Sequence, residues 1–229
     1  MSLSDNPEDI EEFYAWKDLL EKWNARINLV SRAAMADYWG RHARDSWQLW
    51  PLVPENTRNI LDLGSGAGFP GIALAIGCKY ANQQMGQNDQ GVQDDQSGQG
   101  AGAHQAPHMS VTLVESAGKK ANFLKTVIRA LDLPATVHAG RAEDLAAPEK
   151  AGPYDLITAR AFAPLPRLLG YAHPFWGPRT QALLLKGQSA AQELTEAQES
   201  WLFHVKEWPS HTDPEAAILL IKDLQPKEP

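Results

Sequence analysis

The hydrophobic pattern changes its period along this chain. Over the first 50 residues, apolar side chains recur every three to four positions, which predicts helices at 8–23 and 37–50. From residue 60 onward, short apolar runs alternate with helical segments, which is typical of an α/β sheet of parallel strands. We predict strands at 60–63, 111–115, 135–139, 154–158 and 181–185, helices at 72–76, 119–131, 164–173 and 190–201, and a closing antiparallel hairpin of 203–208 and 216–222.

One segment interrupts this alternation. Residues 79–110 consist mainly of Gln, Gly, Asp and Asn, and no apolar period continues through them. Because this composition buries too little apolar surface to offset its ordering entropy, we predict a flexible insertion. The whole pattern divides the chain into an N-terminal helical extension, 1–57, packed on an α/β domain, 58–229. Five of the eight tryptophans precede residue 51; they either dock the extension onto the domain or stack on nucleobases.

The charge of the chain is unevenly distributed. The formal net charge is −7, and the first 21 residues contribute −6 of it, with seven acids and one lysine. Residues 110–190 instead carry ten Lys and Arg against six Asp and Glu. This distribution permits a basic face for an anionic partner although the chain as a whole is acidic.

Cysteine content and apolar stretches favour an intracellular protein. The lone Cys78 excludes an internal disulfide and fits a reducing compartment. No run of about 18 apolar residues occurs, and the acidic N-terminus lacks the apolar core of a signal peptide. We therefore expect a cytoplasmic protein without a membrane anchor.

A glycine-rich turn follows the first predicted strand. Residues 60–72 have the sequence ILDLGSGAGFPGI, with alternate glycines at Gly64, Gly66 and Gly68. Such glycines allow φ > 0 and close approach of the backbone to a ligand at the carboxyl end of the sheet. The match of 66–71 to G-x-G-x-x-G suits a dinucleotide. Asp62, inside the strand, and the three glycines after it together resemble the D-x-G-x-G-x-G motif of class I methyltransferases, which favours S-adenosylmethionine as the ligand. The third interpretation is a glycine turn that serves only packing.

Carboxylates follow the next two predicted strands. Glu115 ends the second strand, where both NAD and S-adenosylmethionine enzymes hold ribose hydroxyls, so it indicates a nucleoside ligand without choosing between them. Its alternative is a plain solvated strand end. Glu143 and Asp144 follow the third strand, where adenine would lie, and a helix cap is the other interpretation of either.

The segment after the fourth strand distinguishes among methyl acceptors. Residues 158–162 have the sequence TARAF, which lacks the [DNS]-P-P-[YFW] set that orients an exocyclic amine. Methylation of carbon 5 of cytosine needs a cysteine nucleophile, and Cys78 lies in the first helix of the α/β domain instead. The predicted strand ends offer cations instead, Arg160, Arg141 and Lys186. Cations suit a phosphate or a nucleobase carbonyl. A ring nitrogen with a free lone pair then needs positioning rather than a base.

Two polar groups also have a purely structural interpretation. His42 and Asp45 share a face of the second predicted helix, where they form either a local pair or part of a polar surface that closes over the ligand site. A Ser-His-Asp hydrolase is not indicated, because no G-x-S-x-G turn occurs. Arg160 either contacts the acceptor or forms an ion pair with Asp155 or Glu143.

These motifs together resemble a known family. W-N-x-x-I-N-L, R-H-x-x-D-S, L-D-L-G-S-G-A-G-F-P-G-I, V-x-L-V-E-S, G-R-A-E-D, A-R-A-x-A-P-L and L-L-L-K-G are similar to motifs of bacterial ribosomal RNA small-subunit methyltransferase G, also called GidB. The resemblance implies a Rossmann-like, seven-stranded class I fold and methylation of guanine N7 in 16S rRNA with S-adenosylmethionine. The family positions fall on Gly64, Phe69, Glu115, Ala142, Glu143 and Arg160, with Arg141 and Lys186 beside them.

Three groups of residues are therefore expected at the site. Catalysis is expected to involve Arg160, Lys186 and His42. Donor binding is expected from Asp62, Gly64, Gly66, Phe69, Glu115, Ala142 and Glu143, and RNA contact from Arg26, Arg44, Arg141 and Arg160. We expect a monomer that acts on 16S rRNA of the 30S subunit without a metal. The alternatives are a donor-binding ribosome-assembly factor without catalysis, and a methyltransferase for a small-molecule or protein acceptor.

Overall fold

A mixed sheet lies at the centre of the molecule. The computed structural model describes residues 3–89, 108–146 and 152–228. Within these ranges the strands are β1 (Asn59–Leu63), β2 (Ser110–Val114), β3 (Ala135–His138), β4 (Leu156–Arg160), β5 (Gln181–Lys186), β6 (Trp201–Pro209) and β7 (Ala217–Pro226). Their order is β3-β2-β1-β4-β5-β7-β6, with β1 to β5 parallel and β7 antiparallel to both of its neighbours. The predicted α/β sheet with a closing hairpin is confirmed.

Helices cover both faces of this sheet. They are α1 (Glu11–Asn24), α2 (Arg32–Ala36), α3 (Asp45–Trp47), α4 (Gly71–Asp89), α5 (Gly118–Leu131), α6 (Ala142–Leu145), α7 (Leu165–Ala172) and α8 (Ala190–Ser200), with 3₁₀ or π turns at Pro7–Asp9, Trp39–Arg44, Trp50–Leu52 and His173–Phe175. Among the described residues, no helix is both long and apolar enough to cross a membrane.

The fourth strand starts two residues later than its hydrophobic pattern predicts. Asp155 directly precedes the strand, and its Oδ2 accepts hydrogen bonds from the backbone N–H groups of Arg58 (2.9 Å) and Asn59 (3.0 Å). The carboxylate thereby ties the entry of β4 to the entry of β1. At its other end β4 extends to Arg160, so this arginine occupies the carboxyl end of a central strand.

The second predicted helix, 37–50, is present but shorter and less regular than predicted, with helical residues from 38 to 47. Trp39–Arg44 forms a π-helix, and only Asp45–Trp47 is a short α-helical segment. The backbone carbonyl of Arg41 accepts a hydrogen bond from the side chain of Arg160 at 2.8 Å. Wider turns of this kind occur frequently at functional sites, and here the turn presents a backbone acceptor to Arg160 at the carboxyl end of β4.

The prediction of a structureless segment at 79–110 is wrong at both ends. Helix α4 continues to Asp89. The side-chain amide of Asn82 bonds both backbone groups of Met109, accepting from N at 2.8 Å and donating to O at 2.9 Å, and so guides the chain into β2. Lys79 contacts Glu12 of α1 at 3.1 Å. Composition could not show these tertiary partners; the rest of the predicted insertion, 90–107, lies outside the described residues.

The helices of the first 57 residues share one apolar core with the sheet. Trp16 of α1 is fully buried and stacks on Phe69 of the glycine turn, with ring centroids 4.4 Å apart. Trp47 packs edge-on against Phe13 at 5.5 Å, and Trp23 against Phe123 of α5 at 5.8 Å. Trp16 and Trp23 therefore dock α1 onto the α/β domain, and Trp47 packs α3 against α1, so the packing interpretation holds for these three tryptophans.

Candidate functional site

A cavity of about 460 Å³ opens at the carboxyl ends of β1, β2 and β4. Its volume lies within the range of small-molecule sites. Six of the seven residues predicted to bind the donor line it, namely Gly64, Gly66, Phe69, Glu115, Ala142 and Glu143. Further lining residues include Leu29, Val30, Lys120, Arg141, Arg160 and Phe162. We call this space the donor cavity.

The glycine turn has a backbone that other residues would not adopt without strain. Gly64 and Gly66 have φ of +70° and +57°, in the left-handed region. A Cβ on Gly64 would lie 2.2 Å from the ring of Phe162, so the turn packs tightly there. A Cβ on Gly66 would meet protein only at 3.8 Å, although Gly66 lines the cavity. Space is therefore kept beside Gly66 on the cavity side of the turn.

Glu115 is held at the wall of the donor cavity by two backbone N–H groups. It is buried, at 8% exposure, and is therefore not a solvated strand end. Its Oε2 accepts from the backbone N–H of Gly66 at 2.9 Å, and its Oε1 accepts from the N–H of Ala117 at 2.7 Å. A carboxylate oxygen has two acceptor sites, so each oxygen keeps one for a hydroxyl donor. This arrangement fits a nucleoside ligand, with the diol on Glu115.

Asp62 does not reach the donor cavity, which corrects its predicted place in donor binding. It is fully buried, and its Oδ1 accepts from the hydroxyl of Thr158 at 2.8 Å. Burial raises the pKa of Asp62 to about 6. A Cβ on Gly71 would lie 2.5 Å from its Oδ2. Asp62 thus joins β1 to β4 and packs beside Gly71 at the end of the glycine turn, outside the cavity lining.

Arg160 is braced by three partners from the N-terminal helices. Its Nη1 donates to the carbonyl of Arg41 and to Oδ2 of Asp45, both at 2.8 Å, and its Nη2 donates to Nδ1 of His42 at 2.9 Å. The guanidinium also lies over the ring of Phe69, 4.9 Å from its centroid. The alternative ion pairs of Arg160 with Asp155 or Glu143 are therefore wrong. So is a separate His42–Asp45 pair, because both side chains bind Arg160.

His42 is held as a neutral imidazole. Burial and then the nearby charges of Arg160 and Arg41 lower the pKa of His42 to about 4. Its ring stacks on Phe69 with centroids 4.3 Å apart and planes inclined by 13°. Because Nδ1 already accepts from Arg160, His42 is a weak base near neutral pH. Its predicted catalytic role thus changes to that of a residue that positions Arg160.

A second cavity, of about 720 Å³, meets the donor cavity at Arg160, Ala161 and Phe162, which line both. We call it the acceptor cavity. Lys186 lines it, but its Nζ is engaged, donating to the carbonyl of Ala163 at 2.8 Å and to Glu193 at 2.6 Å. The expectation that Lys186 acts on substrate is therefore weakened, because the ion pair ties it to α8 and the hydrogen bond to Ala163 ties it to the loop after β4.

The predicted RNA-contacting arginines do not share one place. Arg44 forms an ion pair with Glu8, and neither it nor Arg26 lines either cavity. Arg141 lines the donor cavity rather than the acceptor cavity. Sequence reasoning missed Arg41, which lies in the R-H-x-x-D-S motif and has an exposed side chain at the acceptor cavity.

Sequence reasoning also missed Asn24, at the end of α1. Its Oδ1 accepts from the backbone N–H groups of Leu29 (2.8 Å) and Val30 (3.1 Å), and its Nδ2 donates to the carbonyl of Val30 at 3.1 Å. Leu29 and Val30 form part of the donor-cavity wall, and Ser31 lines the acceptor cavity. The side-chain amide of Asn24 therefore fixes the conformation of the loop that lines both cavities. The W-N-x-x-I-N-L motif was the available signal.

Asn24→Ala is expected to weaken binding of S-adenosylhomocysteine about tenfold. It removes three hydrogen bonds, each worth about 1 kcal/mol net, from a loop that forms the cavity wall. Asn24→Asp keeps both bonds to N–H groups and is expected to lose less. Calorimetric titration checks both, with Asn28→Ala, an exposed amide in the same loop, as the matched control. Equal affinity of Asn24→Ala and Asn28→Ala would contradict the role of Asn24.

The sheet order and the cavity at the carboxyl ends of its parallel strands define a class I S-adenosylmethionine-dependent methyltransferase fold. Solved structures of this class superpose on the chain. An O-methyltransferase from Bacillus cereus in complex with S-adenosylhomocysteine gives a TM-score of 0.56 at 15% identity, over 92% of this chain and 91% of that one. A TehB-like methyltransferase from Corynebacterium glutamicum gives 0.52 at 13% identity, over 91% and 98%. At these identities the likeness concerns the fold alone.

Sequence relatives define the family. The family model of rRNA small subunit methyltransferase G matches residues 9–85 and 102–217. Two proteins named ribosomal RNA small subunit methyltransferase G are 43% and 40% identical, from Rhodospirillum centenum (96% of this chain, 87% of that one) and Parvibaculum lavamentivorans (95% and 84%). The chain belongs to the rRNA small subunit methyltransferase G family. The resemblance of its motifs is thereby confirmed, and with it S-adenosylmethionine-dependent methylation of rRNA.

Proposed function

We propose that this methyltransferase modifies N7 of a guanine in 16S rRNA of the 30S subunit. The observation that carries this assignment is the chemistry at the junction of the two cavities. The imidazole there, His42, is neutral with its Nδ1 occupied, and two of the carboxylates that line the acceptor cavity, Asp45 and Glu193, are engaged in ion pairs. An acceptor that needs no proton removal suits such a site.

The donor cavity fits S-adenosylmethionine on the observed geometry. Glu115 would hold the ribose hydroxyls, and Ala142 and Glu143 at the start of α6 would border the adenine. The turn around Gly66 leaves room for the rest of the molecule. When bound, the donor supplies an electrophilic methyl group on a sulfonium. The chain contributes binding, orientation and exclusion of water around it. In the described residues, no group of three or more His, Cys, Asp or Glu side chains is placed to hold a metal.

Arg160 has donors left for the acceptor. An arginine side chain carries five N–H groups, and the contacts with Arg41, Asp45 and His42 use three of them. Bidentate contact of an arginine with guanine O6 and N7 is common, but it would occupy the nitrogen that must react. We therefore assign the free donors of Arg160 to O6 or to a phosphate, where they orient the base and leave N7 open.

The single-turnover rate on 30S subunits is expected to be nearly constant from about pH 6 to 9. Guanine N7 is unprotonated in this range, and His42, with a pKa of about 4, stays neutral throughout it. His42→Ala is expected to lower the rate without changing the shape of the profile, because it loosens Arg160. If the wild-type rate instead falls tenfold per pH unit below about 6.5, and His42→Ala abolishes that dependence, His42 is a general base and the N7 assignment is wrong.

The direct test maps the product. 30S subunits from cells that lack the gene are incubated with the protein and labelled donor, and the label is located by strand cleavage at N7-methylguanine. Label in 16S rRNA that is not present as N7-methylguanine would refute the assignment of guanine N7 as the methylated atom. Donor binding without transfer would favour an assembly factor, and label only in protein or small molecules would favour the other acceptor class.

A further inference from the structure

The charged side chains of helix α5 are all positive. Its 14 residues include Lys119, Lys120, Lys125 and Arg129 and no acid, although the whole chain has a net charge of −7. The acids nearest to it in sequence, Glu115 and Asp132, lie beyond its two ends. Its buried residues face the core and leave the charged side chains outside.

The cations of α5 form a continuous stripe. Lys119, Asn122, Lys125 and Arg129 are exposed, and their spacing of three, three and four residues places them on one face. At 1.5 Å per residue, the stripe is about 15 Å long. Lys120, at its start, lines the donor cavity. The stripe therefore leads away from the site of methyl transfer.

Helix α1 widens this surface. The contact of Trp23 with Phe123 places the end of α1 against α5, and Lys22 and Arg26, one turn apart, are exposed there. Among the described residues, no carboxylate lies within 4.0 Å of a charged nitrogen of either, or of the α5 cations. By contrast, Lys17 of α1 is paired with Glu21.

We infer that this basic stripe, Lys119, Lys125 and Arg129 with Lys22 and Arg26 beside it, binds the phosphate backbone of the rRNA that flanks the methylated nucleotide. This inference rests on the proposed rRNA acceptor. Unpaired cations in a row suit a polyanion whose charges repeat along its length. An anionic membrane is the weaker partner, because apolar anchors are missing: of the described residues, Tyr14 and Leu202 are the exposed large hydrophobic ones, and neither lies on α5.

The test compares two triple variants that remove the same charge. One is Lys119→Gln, Lys125→Gln and Arg129→Gln. The control is Lys206→Gln, Lys222→Gln and Lys227→Gln, exposed cations of the hairpin side, at the opposite edge of the sheet from β3. Affinity for 30S subunits is measured from about 50 to 200 mM KCl. The slope of log K against log salt is negative, and each phosphate contact contributes about 0.7 to 0.9 to its magnitude. In the α5 variant this magnitude is expected to decrease by about 2.

Two further measurements separate the possible failures. Affinity for S-adenosylhomocysteine and the melting temperature are expected to stay unchanged in both triple variants, which shows that fold and donor cavity are intact. Equal slopes for wild type and the α5 variant would overturn the stripe while leaving the proposed reaction standing. A wild-type protein that neither binds nor methylates 30S subunits would overturn both. Binding of wild type to phosphatidylglycerol vesicles, lost in the α5 variant with RNA affinity unchanged, would assign the stripe to membranes.

Discussion

Replacing Arg160 by alanine is expected to lower the single-turnover rate of methyl transfer about 10²- to 10³-fold, across the whole pH range. That is the usual effect of removing one preorganised donor from a reacting group. Arg160 lies where the donor and acceptor cavities meet, and its guanidinium is held by Arg41, Asp45 and His42 before any acceptor arrives. No reorganisation is then needed at the moment of transfer.

The matched variant is Arg160→Lys. Lysine keeps the charge but cannot bridge three partners with a planar fork, so most of the loss is expected to remain. Rates are measured with saturating donor and 30S subunits, and donor affinity is measured separately, because Arg160 also lines the donor cavity. A rate within about threefold of wild type in a folded Arg160→Ala protein would remove Arg160 from the acceptor machinery.

Glu115→Ala is expected to weaken donor binding tenfold to a hundredfold. A buried carboxylate contact to the ribose is worth roughly 1.5–3 kcal/mol. The structure adds a second cause, because Glu115 also accepts from the N–H groups of Gly66 and Ala117 and so fixes the turn. Without it, two backbone donors at the cavity lose their partner.

Calorimetry with S-adenosylhomocysteine measures this loss. Glu115→Gln is the conservative comparison, since its amide oxygen satisfies only one of the backbone N–H groups and its amide nitrogen faces the other. We expect Glu115→Gln to bind the donor more weakly than wild type and more tightly than Glu115→Ala. Unchanged affinity in Glu115→Ala, with an unaltered melting temperature, would place the adenosine site elsewhere.

Local patterns predicted which residues of β1 and β2 line the donor cavity. The strand period, the alternate glycines and Glu115 lie within short stretches, so their positions at the strand ends follow from neighbouring residues. The structure places Gly64, Gly66 and Glu115 together at the ends of β1 and β2, which pair directly. Asp62 was misplaced because its strand position gives its face of the sheet but not the partner, Thr158, that engages it.

The acceptor side depends on contacts that no local pattern contains. Arg160 was expected at a strand end, but its partner Asp45 lies 115 residues away in sequence. The π-helix that presents the carbonyl of Arg41 is invisible to a 3.6-residue period. The same holds for the continuation of α4, where Lys79 and Asn82 look like loop residues until Glu12 and Met109 are placed beside them.

The contacts that brace Arg160 extend to the segment between the last two strands. Asp45, which holds Arg160, itself accepts from the hydroxyl of Thr212 at 2.8 Å, 167 residues further along the chain. Gln48 is joined in the same way to the backbone N–H of His211. A chain emerging from its N-terminus has the glycine turn and Glu115 long before it has Thr212. The contacts that hold Arg160 are therefore complete only once the segment between β6 and β7 has been made.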